Sequence, residues 1–313
     1  MMPLVIAAAA DVAQGIRSFD LVQPDGSELP PFTPGSHVKV RVPSGSVRKY
    51  SLCNDPSERH RYVIGVKRDD NGQGGSVSLI DRTAVGDTLP TSLPDNAFPL
   101  NEYARSYVFI AGGIGITPIM SMIRSLGELG PPWKLIYLTR SAEETAFLEE
   151  LDAPELRDRV TIHHDHGDLA RSFDLWPVLE RPGTAHIYCC GPRGLMEAVR
   201  DMSGHWSHGN VHFESFDEGG EVRPDDKPFI VKLAKSGRAF EIPVGKTILG
   251  VLREQGGCEI ASSCEAGTCG TCRTTLLAGE ADHRDMVLMP EEFDTQVMVC
   301  VSRAKSAELV VDL

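Results

Sequence analysis

The sequence predicts three domains in succession: an antiparallel β-barrel, a doubly wound α/β domain and a smaller α+β domain built around a cysteine-rich loop. Three observations predict it. Residues 1–102 hold short alternating runs, such as 37–42 and 62–67, separated by Pro, Gly, Asn and Asp, the texture of a small barrel. Residues 103–216 alternate buried apolar runs with helical stretches, as a parallel sheet with covering helices requires. Residues 228–313 open on a hairpin and a short helix and then carry closely spaced cysteines. A length of 313 residues fits this division, because a single core stops growing beyond about 250–300 residues. Charged residues at 24% against 41% hydrophobic ones give no sign of a large disordered region, and no internal repeat is present.

The elements follow in chain order. Residues 3–10 are apolar, but no basic residue precedes them and Asp11 follows at once, so a first strand is expected and not a signal peptide. In the central domain a buried run at 107–111 leads through glycines into a helical stretch from 118 to about 129. Strands are expected at 134–138, 160–163 and 185–189. Residues 217–227 are polar, rich in Gly and charge and without hydrophobic periodicity, which marks a linker. Strands at 229–233 and 239–242 form the hairpin, and 247–255 the helix.

Forty-four acidic residues against thirty-one Lys and Arg leave a net charge of −13, which repels a phosphate backbone and argues against nucleic acid as a partner. No uncharged apolar run approaches the roughly 20 residues needed to span a bilayer, so no membrane is expected and a cytoplasmic monomer is the default. Eight cysteines in such a chain point to metal or redox chemistry before disulfides.

Cys264, Cys269 and Cys272 follow the spacing C-x4-C-x2-C, and Cys300 stands alone further on. That is the plant-type arrangement for a 2Fe-2S cluster, in which four thiolates complete the tetrahedra of two irons. The small residues between them let the loop close and aim N–H groups at sulfur, which helps set the reduction potential. A structural zinc site is the alternative, but zinc loops favour two C-x2-C pairs. Cys53, Cys189, Cys190 and Cys258 lie outside the pattern, and buried structural thiols are the expectation for them.

Ala111-Gly-Gly-Ile-Gly-Ile-Thr-Pro-Ile119 follows a strand and opens a helix, with Thr117 suited to cap it and Pro118 to its first position. Gly112, Gly113 and Gly115 let the backbone approach a diphosphate, and the helix start supplies N–H donors. The last strand of the sheet ends in Cys190-Gly191-Pro192, a second turn at the same carboxyl edge. A nicotinamide delivers a hydride and the cluster accepts one electron, so a flavin is needed between them. In the barrel, Arg48-Lys49-Tyr50-Ser51 offers a cation, a ring and a hydroxyl, and Gln73-Gly74-Gly75-Ser76 a backbone anion nest.

Over essentially the whole chain these parts resemble the phthalate dioxygenase reductase group of the ferredoxin-NADP reductase superfamily. The resemblance rests on Arg48-Lys-Tyr-Ser-Leu-Cys-Asn-Asp55, residues 111–118, 188–192 and 262–272, His212-Phe-Glu-Ser-Phe216 and Met298-Val-Cys-Val-Ser-Arg-Ala304. It implies FMN in the barrel, NADH in the central domain and a C-terminal plant-type ferredoxin (β-grasp) domain. Arg48, Lys49, Tyr50 and Ser51 would then hold the flavin with Gly65, Val66 and Lys67, while Gly74, Gly75 and Ser76 match the phosphate loop. Thr117 and Phe216 match contacts that reach the flavin from outside the barrel. Gly112, Gly113, Gly115, Cys190, Gly191 and Pro192 would place the nicotinamide, with Ser51 and Cys190 near hydride transfer. No residue need act as general acid or nucleophile. The resemblance implies that a terminal oxygenase, of Rieske type and acting on an aromatic ring, takes the electrons. The alternatives are an O-demethylase such as vanillate demethylase, a haem monooxygenase, or an electron carrier or redox sensor without NADH oxidation.

Other conspicuous residues receive plainer readings. His163-His164-Asp165-His166 runs from a strand into a turn, so its side chains alternate faces and are expected at the surface or in packing, not on a metal. Trp133, Trp176 and Trp206 are expected to pack. Arg140 would suit a 2′-phosphate, and Glu143 and Glu144 would suit ribose hydroxyls or repel that phosphate; the resemblance favours NADH.

Overall fold

The computed structural model describes residues 1–127, 129–216 and 222–313. Residues 217–221 of the expected linker and residue 128 of the expected helical stretch lie outside the described residues. The chain forms two compact units, Met1–His212 and Phe213–Leu313.

In the first unit, strands β1 (Met2–Ala13), β2 (Ile16–Val22), β3 (His37–Arg41), β4 (Val47–Ser51), β5 (Tyr62–Lys67) and β6 (Thr88–Thr91) form an antiparallel sheet in the order β4-β3-β6-β1-β2-β5. Its two ends meet through a Leu52–Ile64 bridge and a Cys53 N–H to Val63 carbonyl bond of 2.9 Å. Closing the sheet removes its free edges. Inward positions such as Phe19, Leu21, Val38, Val40, Ile64 and Val66 fill the interior, following the strand period of two. Helix α1 (Gly75–Arg82) lies between β5 and β6 in the chain.

The sheet that follows has β7 (Tyr107–Gly112), β8 (Trp133–Thr139), β9 (Val160–His164) and β10 (His186–Cys190) parallel in the order β10-β7-β8-β9, with Val211 and His212 of β11 (Val211–Glu214) at the β10 edge. Its helices are α2 (Ile116–Leu126), α3 (Leu148–Leu151), α4 (Trp176–Leu179) and α5 (Arg193–Met202). The strand order reverses between β7 and β10, so a crevice opens at their carboxyl ends. Barrel and sheet share packing: Ile16, Cys53 and Val63 belong to one buried cluster with Phe109, Ile116, Met120 and Tyr188.

Helix α2 starts earlier than the Thr-Pro signal implied. A 3-10 turn over Gly113–Gly115 runs straight into it, Gly115 is the cap, and the Thr117 hydroxyl donates back to the Ile114 carbonyl at 3.0 Å. Pro118 is tolerated at the third position because N–H groups of the first turn have no partner within the helix.

In the second unit, β12 (Phe229–Leu233), β13 (Ala239–Ile242), β14 (Arg273–Ala278), β16 (Gln296–Met298) and β18 (Glu308–Val311) form a sheet in the order β13-β12-β18-β14-β16, β12 and β18 being parallel. Strands β15 (Ala281–Asp282) and β17 (Arg303–Ala304) pair beside it. Helix α6 (Ile248–Glu254) buries Ile248, Leu249, Val251 and Leu252, and Thr247 caps it by accepting the Gly250 N–H at 3.0 Å. Each such side chain stabilises by about 1.5–3 kcal/mol, which makes α6 a firm support. Asp226, near the end of the expected linker, is buried against Arg284, with Arg303 at 3.6 Å, so that part of the polar segment is built into this unit. Among the described residues no helix is long and apolar enough to cross a membrane.

Candidate redox site

The cysteine loop runs from the end of the α6 region into β14. Cys272 immediately precedes β14 and Cys300 follows β16, and both are buried, while Cys264 and Cys269 are half-buried. Gly267 and Gly270 have φ of +74° and +79°, and a Cβ on Gly267 would come within 2.7 Å of Val301. Only glycine fits there. The turn brings the Ala266 and Thr268 N–H groups to Cys264 Sγ, each at 3.4 Å. A hydrogen bond from Cys269 lowers the Cys264 thiol, against burial and with help from Thr268 and Ala266, and raises Cys269 in turn. Cys272 is lowered in the same way by Cys300.

The thiols therefore stand in two pairs. Among the described residues no group of three or more His, Cys, Asp or Glu side chains is arranged around a single ion. A two-iron centre does not ask for that, since each iron takes two protein thiolates. The pairing and the N–H groups already aimed at sulfur fit a 2Fe-2S cluster.

In the barrel, strand alternation separates the Arg48-Lys49-Tyr50-Ser51 run. Arg48 and Tyr50 share a half-buried face of β4 and Lys49 is exposed on the other, so Lys49 is not brought to the same surface. Burial pushes the Tyr50 hydroxyl up to about 12. Arg48 donates to Gln73 Oε1 at 2.7 Å, and a Cβ on Gly75 would lie 2.9 Å from Arg48 Nε. Gly74, with φ of +76°, caps α1. The cation and the helix start thus form a cradle that any larger residue at Gly75 would fill, which suits a flavin phosphate. The Ser76 hydroxyl accepts the Asp69 N–H at 3.0 Å. On β5, Val66 is in the barrel core and Lys67 is exposed, so neither side chain joins the cradle. Gly65 does face another predicted residue: a Cβ there would meet Thr117 Cγ2 at 2.8 Å.

At the carboxyl edge of the sheet the two glycine turns touch. A Cβ on Gly115 would lie 2.2 Å from the Cys190 carbonyl oxygen, and one on Gly191 would lie 2.9 Å from both Cα and N of Gly112. A Cβ on Gly112 would strike Pro192 Cδ at 2.6 Å. Gly113, at φ +53°, has open space beside it. Cys190 is wholly buried. No sequence signal marks Phe147, which holds φ of +59° and lies near the space beside Gly65, or Arg124, which sits 5.4 Å from the Phe147 ring and donates to Glu150 Oε1 at 2.9 Å and to the Cys53 carbonyl. Backbone conformation and tertiary partners, not spacing, place both.

Residues 231–305 match the 2Fe-2S iron-sulfur cluster binding domain family. The whole chain is 55% identical over 312 residues to the phthalate dioxygenase reductase of Burkholderia cepacia, covering 99% of this chain and 97% of that one. The chain belongs to the phthalate dioxygenase reductase family. It is also 53% identical to the phthalate 4,5-dioxygenase oxygenase reductase subunit of Pseudomonas putida, over 99% of this chain and 96% of that one. A solved phthalate dioxygenase reductase, described as a modular structure for electron transfer from pyridine nucleotides to [2Fe-2S], superposes with a TM-score of 0.73 at 54% identity, covering 100% of this chain and 98% of that one. The fold class of this family is the one expected: barrel, doubly wound α/β domain and β-grasp ferredoxin domain.

The remaining conspicuous residues of this family member have local partners. His163 Nε2 meets the Arg171 carbonyl at 2.6 Å, and His164 Nδ1 meets Thr139 Oγ1 at 2.8 Å. Trp133 and Trp206 are buried as expected, but Trp176 is half-exposed beside His205, because α4 is a single short turn at the surface. His212, from the His-Phe-Glu-Ser-Phe run, stacks on Tyr188 at 4.4 Å and meets His186 Nδ1 at 3.0 Å. Tyr188 in turn accepts the Asn101 N–H and donates to the Pro99 carbonyl, tying the connection between barrel and sheet to β10.

Burial and then the His186 imidazole push the His212 pKa down to about 4. The unfolded chain, with a histidine near its ordinary ~6.5, binds the extra proton first, so stability is complete above about pH 6.5, falls as pH drops towards 4 and is level below it. Linkage sets a ceiling of about 3 kcal/mol, reduced to about 2 for partial exposure. Thermal melting should therefore fall by roughly 4–8 °C between pH 7 and 4.5, and by less in His212→Gln. An identical fall in both proteins would show that this stack is not the cause.

Proposed function

We propose that this protein passes electrons from NADH through FMN to a 2Fe-2S cluster and on to the Rieske-type terminal oxygenase of an aromatic-ring oxygenase, phthalate dioxygenase being the partner to which the relatives point. It is an NADH-dependent iron-sulfur flavoprotein oxidoreductase. The observation that carries the internal path is the apposition of Gly65 and Thr117, which sets strand β5 of the barrel against the helix of the glycine turn within one compact unit. FMN, when bound, supplies the conversion of a hydride into single electrons.

The protein's part is binding and orientation. Arg48 and the N–H groups at Gly74, Gly75 and Ser76 hold the phosphate, Tyr50 offers its ring, and Ser51 hydrogen-bonds near the reactive edge. Gly65, Val66 and Lys67 contribute backbone along β5, and Thr117 reaches the flavin from beyond the barrel. Gly112, Gly113, Gly115, Cys190, Gly191 and Pro192 seat the nicotinamide. Cys264 with Cys269, and Cys272 with Cys300, each bind one iron. We place the protein in the cytoplasm, as a monomer.

Anaerobic addition of NADH should bleach the flavin absorbance, bring up the signal of the reduced cluster and support turnover of phthalate by purified phthalate dioxygenase. Heat-released cofactor should have the mass of FMN. Absence of bleaching would reduce the chain to a carrier, and turnover only with an O-demethylase or a haem monooxygenase would replace the partner.

A further inference from the structure

We propose that Arg253, Ser262 and Glu265 form a clamp that positions the amide donors on Cys264 and so sets the reduction potential of the cluster; this rests on the assignment of the four cysteines to that cluster. Glu265 directly follows Cys264 and has φ of +56°, a left-handed conformation that it shares, among the described non-glycine residues, only with Phe147 and His166. Glycine is the ordinary occupant of such a position, and another residue persists there only when its surroundings fix it.

Arg253 and Ser262 are among those surroundings. Arg253, in the last turn of α6, donates to Glu265 Oε1 at 2.9 Å, to Ser262 Oγ at 2.6 Å and to the Ile260 carbonyl at 2.8 Å. Ser262 Oγ donates to Glu265 Oε1 at 2.8 Å, closing the triangle. Three points of the strap entering the cysteine loop are thereby tied to a helix whose apolar face is buried. On its outer side the strap borders an open surface hollow lined by Arg253, Cys258, Glu259, Ile260 and Ala261, while Ile260 and Cys258 also pack on the core of this unit. Beyond Glu265 the chain turns again at Gly267, and only this course brings the Ala266 and Thr268 N–H groups to Cys264 Sγ.

Arg253 and Glu265 are both substantially exposed, with side chains 40% and 46% accessible, so their pairing adds little to global stability. Its effect is on geometry. Hydrogen bonds to sulfur favour the reduced, more negative cluster and raise its potential. If the clamp acts by position, Arg253→Met and Glu265→Gly both lower the potential, because either one frees the strap. If only charge acted, the two would move it in opposite directions, since one removes a cation and the other an anion.

The test is a redox titration of the cluster by electron paramagnetic resonance in the full-length protein. Downward shifts in both variants, a double variant no lower than either single one, and a roughly tenfold faster release of iron to a chelator are expected. Glu265→Gln, which keeps the acceptor oxygen, should retain the g-values and slow iron release of the parent. An upward or absent shift in Glu265→Gly overturns the clamp. Should Arg253→Met fail to hold the cluster, the comparison of Glu265→Gly with Glu265→Gln decides alone. A parent protein with no reduced-cluster signal would instead overturn the cysteine assignment itself.

Discussion

Replacing Cys269 by Ser is expected to leave NADH-dependent reduction of a dye such as ferricyanide within about twofold of the parent, while reduction of cytochrome c or of the oxygenase falls by roughly a hundredfold or more. The reason is the serial order of the sites. The glycine turns and the flavin cradle lie wholly in Met1–His212, and Cys269 lies in Phe213–Leu313. A dye that accepts electrons from the flavin bypasses the cluster, whereas a one-electron protein acceptor depends on it. Cys269 is also the thiol that hydrogen-bonds to Cys264, so its removal opens one of the two pairs and leaves Cys272 and Cys300 together. Steady-state rates with both acceptors, alongside iron and flavin content, check the expectation. Equal loss of the two activities would mean that the cluster does not stand after the flavin.

The fold was most legible where local signals and tertiary packing agree. Strands 229–233 and 239–242 were located to the residue, since both alternate and the turn between them has a glycine at φ +70° in Gly237. Helix α2 starts two residues before the Thr-Pro signal because a 3-10 turn leads into it through glycines whose close approach to Cys190 and Gly191 overrides that signal. The glycine turns and cysteines were visible because chemistry constrains their spacing. Lys49 has the look of one motif with its neighbours in sequence, and strand alternation puts it on the face opposite Arg48 and Tyr50. Arg253, Arg124 and Phe147 were not legible: a charge or ring at a loop or helix end has no period, and its partners lie far away in sequence.

Replacing Gly115 by Ala is expected to be the mirror image of the cysteine change. The new Cβ would stand 2.2 Å from the Cys190 carbonyl oxygen and 2.8 Å from the Gly191 amide nitrogen. Both obstacles are backbone, at the end of a central parallel strand, so no side chain can swing aside and the two turns must part. A displacement of about an ångström at a hydride-transfer site costs on the order of a hundredfold in rate. Reduction of the flavin by NADH in stopped flow should slow by at least about that factor. The cluster, reduced chemically with dithionite, should keep its resonance signal and potential, because nothing in Phe213–Leu313 is touched. Gly113→Ala is the matched control: its φ of +53° disfavours a side chain, but no atom lies within 4 Å of the added carbon. It should cost far less than Gly115→Ala, as strain without collision. Comparable losses in the two variants would mean that backbone conformation, not the contact between the turns, governs the site; an unchanged rate in Gly115→Ala would remove the nicotinamide from this crevice.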